Sequence, residues 1–239
     1  MTLFNAVGLI STLALLAPIF TILALRLAWY KSFPALLAYY VVVFGYNILS
    51  QDFVHANKSF LYYFGVLNNF LDAPLMLAFM TYFSHTATFR KKMLITVPAL
   101  LLFQITLIII NGFNIESATI AMGPGLFLVI VFATIFFIRK AKLTIVHQKA
   151  MGKTCMVAAL LFAYGGYAFI YIVYYLMKTP YKADTYLVYF LITFFSSVML
   201  SAGIYFERRR VNVLEEINTT RKELKVIYGG ASETKTATS

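Results

Sequence analysis

The chain has 239 residues, of which 61% are apolar or aromatic and 12% are charged. A soluble domain of this length carries about twice that fraction of charged residues, so the composition argues against a soluble protein and indicates a membrane protein. The net charge of +11 does not indicate a nucleic-acid-binding protein, because the basic residues are spread over several segments rather than gathered in one soluble module.

Apolar segments long enough to cross a bilayer as helices recur seven times. They are continuously apolar and lack the alternation of barrel strands. We therefore predict an all-α fold, a polytopic membrane protein built as a seven-transmembrane-helix bundle. The predicted helices run from Leu3 to Tyr30, Pro34 to Gln51, Phe60 to Phe83, Met93 to Ile110, Ile115 to Ile138, Thr154 to Met177 and Thr185 to Phe206.

The basic residues set the predicted orientation. Seventeen of the twenty lysines and arginines lie in alternate connections, after the first, third and fifth helices, or after the seventh. The other side has only Lys58, Lys178 and Lys182. Because basic loops stay in the cytoplasm, we predict a cytoplasmic C-terminus and, with seven crossings, an N-terminus outside. The basic rim would face anionic lipids of the inner leaflet.

We divide the chain into a transmembrane domain (1–206), a cytoplasmic basic amphipathic helix (207–228) and a disordered tail (229–239). The amphipathic segment places apolar residues at heptad-like positions, with Arg221 interrupting the seam; they are Leu214, Ile217, Leu224 and Tyr228. Two interpretations stay open. The segment lies on the inner leaflet, or it is a signalling or dimerising helix that contacts a separate partner or a second copy.

Asp72 is the acidic residue well inside a predicted span, at the centre of the third helix. A carboxylate inside a membrane is costly and marks a candidate functional site. Asn68 and Asn69 precede it by four and three residues and therefore share its helix face. Pro74 follows and predicts a loosened backbone one turn earlier.

Polar residues on other predicted helices lie at similar depth, in the outer half of the bilayer. With Asp72, Asn68 and Asn69 they form the predicted ligand- or ion-binding set: Tyr46, Asn47, Gln104, Tyr167, Tyr171, Tyr189 and Thr193. We interpret them as the lining of a polar cavity that opens outward with Asp72 at its base. The alternative is ordinary hydrogen bonding between packed helices, which uses the same residue types.

No catalytic or cofactor motif accompanies this set, so we predict no cofactor and favour a protein that is not an enzyme. The three histidines, His55, His85 and His147, are far apart in sequence, and no spacing predicts a metal site. Cys155 is the single cysteine, which excludes a disulfide within the chain.

The helix count and orientation resemble those of microbial rhodopsins and seven-helix receptors, and Asp72-Ala73-Pro74 places an acid and a proline in the third helix. The resemblance covers topology only. A retinal Schiff base needs a lysine in the last helix, and none lies between Thr185 and Phe206. We therefore do not expect retinal.

Three functions fit this sequence. The first is a receptor-like or sensory module, in the plasma membrane or a bacterial inner membrane, that binds a small ligand in the outward cavity. It would signal through the seventh helix to a separate partner. The second is a transporter or channel subunit with Asp72 as an ion or proton site. The third, an intramembrane lipid-modifying enzyme, is disfavoured because no catalytic set is present.

Overall fold

The structure, a computed structural model, describes residues 3–51, 54–84, 86–147, 150–173 and 182–233. Within these ranges the regular elements are eight α-helices and a short 3₁₀ turn at Thr81–Phe83. The helices are α1 (Leu3–Ala14), α2 (Leu16–Ala24), α3 (Phe33–Ser50), α4 (Lys58–Met80), α5 (Ala87–Asn111), α6 (Ile115–His147), α7 (Met151–Tyr171) and α8 (Lys182–Glu233). The predicted end of the sixth span, 174–177, lies outside the described residues.

Seven helical stretches of the described chain are long and apolar enough to cross a membrane. Helices α1 and α2 together supply the first, Ala6–Ala24, and α3 to α8 each supply or contain one more. The prediction of an all-helical protein with seven apolar helices is therefore confirmed.

Several boundaries differ from those predicted. The first span ends at Ala24 rather than Tyr30, because left-handed backbone at Arg26 and Lys31 turns the chain before α3. Helix α6 runs without interruption through Gly123-Pro124-Gly125 and on to His147, so most of the connection between the predicted fifth and sixth helices, residues 139–153, is helical. Helix α8 continues to Glu233, into the stretch for which the sequence predicts disorder.

Six of the spans form a closed ring. The α1–α2 pair packs against α3 and α8, α3 packs against α4, α4 against α6, α6 against α7, and α7 against α8. Helix α5 packs against α4 and α6 and is the least buried of the seven spans. Four basic residues from different parts of the chain, Lys31, Lys140, Lys153 and Arg210, lie near one another. We call the end of the bundle where they lie the basic end.

The crossing of α7 and α8 depends on two glycines. A Cβ atom on Gly152 would collide with the backbone nitrogen of Glu207, and one on Gly203 would lie 2.8 Å from the backbone nitrogen of Met156. Small residues allow such close approach in membrane bundles, where packing replaces the hydrophobic effect between helices. This crossing sets the position of α8 relative to α7.

We predict that Gly152→Ala lowers the midpoint of thermal unfolding in detergent, because the added methyl group meets backbone that cannot move aside. Overpacking of this kind costs about 1–3 kcal/mol. Gly165→Ala is the matched control, since it lies on the same helix and its methyl group would meet no described atom within 4 Å. Equal stability of the two variants would contradict the proposed crossing.

Candidate functional site

The site is built around the Asp72 carboxylate. The hydroxyl of Tyr164 on α7 donates a hydrogen bond to Asp72 Oδ1 at 2.6 Å, and the Tyr39 hydroxyl on α3 lies close to the same carboxylate. Both tyrosines are buried, whereas Asp72 is half-buried. The carboxylate therefore accepts a hydrogen bond from one phenol and has a second phenol, from a different helix, beside it.

Each of these side chains comes from the interior of a long helix. Asp72 lies about two turns before the end of α4, which continues through Pro74 to Met80. Tyr164 and Tyr167 are three residues apart on α7, which puts both on one face, and their rings meet edge to face at 5.8 Å. Tyr39 and Tyr40 are adjacent on α3, with their rings perpendicular at 5.1 Å.

Further polar contacts continue from Asp72 towards the end of the bundle opposite the basic end. The Tyr167 and Thr193 hydroxyls are 3.2 Å apart, which joins α7 to α8. Asn47 on α3 donates to the Tyr189 hydroxyl on α8 at 3.5 Å, and the Tyr167 and Tyr189 rings lie 5.7 Å apart. Together with Asp72 and Tyr164 these groups form a column of polar side chains. We call it the tyrosine column: Asp72, Tyr164, Tyr167, Thr193, Tyr189 and Asn47.

Two side chains beside the column have unused hydrogen-bonding capacity. Among the described residues, Asn68 Oδ1 and Ser197 Oγ are buried without a hydrogen-bond partner. Ser197 lies near the Tyr40 hydroxyl, although outside good hydrogen-bonding geometry. Asn68 lies one helical turn before Asp72 on the same face. A buried polar atom without a partner is costly, so Asn68 offers an acceptor for a bound group.

The charge of Asp72 has no counter-ion within the described part of the chain. Both ion pairs found there involve Glu207. The carboxylate therefore accepts a hydrogen bond from the Tyr164 phenol but is not neutralised by a lysine, arginine or histidine of these residues. A carboxylate among apolar helices and without a counter-ion attracts a proton or a cation.

The structure brings together five of the predicted site residues, Asp72, Asn47, Tyr167, Tyr189 and Thr193, in the tyrosine column, and Asn68 lies beside them. Tyr171 lies towards the same end, where it donates to the Thr119 carbonyl at 3.2 Å. The Tyr46 ring lies 6.4 Å from the Phe64 ring at a tilt of 49° and packs against Gly65 on α4. No described hydrogen bond connects Asn69 or Gln104 to Asp72; Gln104 is buried on α5.

Three tyrosines of the site are absent from the predicted set: Tyr39, Tyr40 and Tyr164. Tyr164 belongs to a visible stripe of α7 tyrosines spaced at three and four residues, so its position could have been inferred. Tyr39 and Tyr40 lie among apolar residues of α3 with no polar neighbour in sequence. Only the packing of α3 against α4 brings them to Asp72.

Comparison with protein-family models, curated proteins and solved structures finds no match. In the described residues there is no group of three or more His, Cys, Asp or Glu side chains that could hold a metal ion.

We predict that Tyr164→Phe lowers the free energy of unfolding by about 1 kcal/mol or more, because it removes the hydrogen bond that the half-buried Asp72 carboxylate accepts. The control is Tyr205→Phe on α8, where the side chain is 54% exposed, and we expect it to change stability by less than about 0.5 kcal/mol. Reversible denaturation in detergent compares the two. A Tyr164→Phe protein as stable as the control would contradict the bond.

Proposed function

We propose that this chain is a receptor-like membrane module that binds a small organic cation at Asp72 and transmits occupancy through α8. The observation that carries the proposal is the Asp72 carboxylate, which accepts a hydrogen bond from Tyr164 and lies close to Tyr39 but has no positively charged partner among the described residues. A ligand cation would supply the missing charge.

The chemistry of the lining favours a protonated amine. Its N–H groups can donate to the Asp72 carboxylate and to the unpaired Asn68 Oδ1. Tyrosine rings attract cations through their π faces, by about 0.5–2 kcal/mol per contact, and Tyr39, Tyr164 and Tyr167 all lie close to Asp72. An anionic ligand would meet repulsion from Asp72 and few donors.

Helix α8 connects this site to the far side of the bundle. Thr193 and Tyr189 belong to the tyrosine column, and the same helix runs without interruption to Glu233. Its side chains from Asn212 to Leu224 are exposed. A movement of α8 at Thr193 would therefore also move this exposed surface, which is available to a separate signalling partner or a second copy of this chain.

For the membrane arrangement we propose seven crossings in a plasma or bacterial inner membrane, with the N-terminus outside and the C-terminus in the cytoplasm. The gathering of Lys31, Lys140, Lys153 and Arg210 at one end of the bundle supports this orientation, since basic residues are retained in the cytoplasm. The tyrosine column would then open to the outside, and the basic end would face anionic lipids.

The second candidate is a transporter or channel subunit in which Asp72 carries a proton or an inorganic ion. The same uncompensated carboxylate supports it, because intramembrane acids also serve proton relays. An enzyme acting on lipid has less support, since Asp72 is the single acid in the column and the described residues place no metal ligand set beside it.

We predict that ammonium compounds stabilise the purified protein against heat and that their alcohol counterparts do not. The probes are methylammonium, tetramethylammonium and phenethylammonium, with methanol, tert-butanol and phenethyl alcohol as neutral partners. The shift should disappear in Asp72→Asn, which removes the charge but keeps the shape. The Thr106→Val protein is the control, since Thr106 is an exposed polar residue of α5, and it should respond like the wild type.

Equal shifts for cations and alcohols, no shift from any cation, or full retention in Asp72→Asn would contradict cation binding at this site. Proteoliposomes with a pH gradient distinguish the two candidate functions. The receptor proposal expects no Asp72-dependent accumulation of labelled phenethylammonium inside the vesicles. Accumulation that requires both the gradient and Asp72 would replace it with the transporter.

We predict that a cysteine at Ser59 is labelled by a membrane-impermeant maleimide in intact cells, and that a cysteine at Lys91 is labelled only after the membrane is opened. Both positions are exposed and lie near the starts of α4 and α5, on opposite sides of the proposed topology. The background is Cys155→Ala, which removes the single native thiol. The reversed pattern would contradict the orientation.

A further inference from the structure

A second buried polar group lies at the basic end and is centred on Glu207 of α8, which is 2% exposed. Its Oε1 atom accepts hydrogen bonds from the Tyr82 hydroxyl at 2.9 Å and from Arg210 Nη2 at 2.7 Å. Its Oε2 atom accepts from Arg210 Nε at 3.1 Å. Lys153 Nζ on α7 lies 3.6 Å away. The acid is therefore fully supplied with donors.

The surrounding positive charge exceeds this one acid. Lys153 Nζ lies 4.5 Å from the Tyr82 ring centre, and Lys31 Nζ lies 5.7 Å from the same ring. Lys140 of α6 interacts electrostatically with Lys153, Glu207 and Arg210. Lys31, Lys140, Lys153 and Arg210 with the one carboxylate leave three excess positive charges at neutral pH, and the neighbouring Arg139 adds to the positive field at Lys140. We call this group the basic-end cluster: Lys31, Tyr82, Lys140, Lys153, Glu207 and Arg210.

Part of the excess positive charge of this cluster is shielded from solvent, because it is carried by Lys140. The residue is 4% exposed, and none of the described carboxylates lies within ion-pair distance of it. A buried charge is stable only when it is paired. Glu207 is near enough to attract Lys140 but its oxygens are already occupied by Tyr82, Lys153 and Arg210. The ammonium group therefore lacks an anionic partner of its own among these residues.

We infer that the basic-end cluster binds a phosphate group, with Lys140, Lys153 and Lys31 as its ligands and Glu207 as the residue that positions Arg210 and Lys153. A phosphate monoester carries about −1.5 to −2 charges at neutral pH, which matches most of the excess. The inference concerns the end of the bundle opposite the tyrosine column and does not depend on the proposed function. Helix α4 separates Asp72 from Tyr82 by about 15 Å, at about 1.5 Å per residue.

Two sources could present this group. A lipid phosphate fits the position, because the cluster lies where the apolar helices end and basic sites between membrane helices bind lipid headgroups. A soluble phosphate ester has the same chemistry. Binding assays therefore have to present the phosphate both with and without acyl chains.

The test uses the full chain, purified and delipidated in an uncharged maltoside detergent, with thermal unfolding and equilibrium binding as readouts. The probes are dihexanoyl phosphatidic acid, inorganic phosphate and dihexanoyl phosphatidylcholine at equal ionic strength. Binding to the native state and not to the unfolded chain raises the unfolding midpoint with concentration. We expect phosphatidic acid to stabilise the wild type more than phosphatidylcholine, with Lys140→Gln binding about tenfold more weakly or worse.

Lys142→Gln is the matched control. It removes the same charge two residues along α6 from an exposed position, and it should bind like the wild type. Lys140→Arg should retain binding because the charge is kept. Lys153→Gln is a second variant with the same expected loss if Lys140→Gln does not fold.

The pattern of responses identifies the source and decides the inference. A response to phosphatidic acid alone assigns a lipid headgroup, and a response to inorganic phosphate as well shows that the phosphate group suffices; both support the inference. No response to either phosphate probe would overturn it. So would equal losses in Lys140→Gln and Lys142→Gln, or equal stabilisation by phosphatidylcholine, because each would reduce the effect to general charge or detergent-like binding.

Discussion

The hydrogen bond between Tyr164 and Asp72 is the interaction on which the central site depends. Apolar helices offer few donors to a carboxylate in the middle of a bundle, so polar side chains of neighbouring helices have to hold it. Here the Tyr164 hydroxyl of α7 donates a hydrogen bond to Asp72 at 2.6 Å, and Tyr39 of α3 lies close to the same carboxylate. The phenol stabilises the carboxylate without neutralising its charge.

The cost of leaving polar groups unpaired in apolar surroundings also explains how the two ends of the bundle differ. Towards one end, the column pairs hydroxyls and amides across α3, α7 and α8, as in Tyr167 with Thr193. At the basic end, full charges are paired instead, and Glu207 meets Arg210 and Lys153. Helix α8 belongs to both groups, and its tight contact with Gly152 of α7 fixes Glu207 against that helix. A single continuous element therefore links an acidic site to a cationic one.

The sequence predicts the seven apolar helices and the importance of Asp72 because both are local signals: long apolar runs, and one acid inside such a run. It does not predict Tyr39, since that residue becomes polar lining only through the packing of α3 on α4. The sequence does not predict the role of Glu207 for a related reason. Glu207 follows the apolar part of α8 and precedes three arginines, a pattern typical of a solvent-exposed helix end. Its partners come from α7 and the 3₁₀ turn as well as from α8, and only the packing of these elements brings them together. Gln104 was included in the predicted site only because of its expected depth in the bilayer, and depth does not determine which side of a helix faces the site.

Infrared difference spectroscopy tests directly whether Asp72 is the charged partner of a bound ammonium group, as proposed. Spectra of the protein in detergent are recorded with and without phenethylammonium, for the wild type and for Asp72→Asn. The account predicts a change in the carboxyl stretching bands on binding that is present in the wild type and absent from the variant. Binding that leaves these bands unchanged, or the same change in Asp72→Asn, would contradict it.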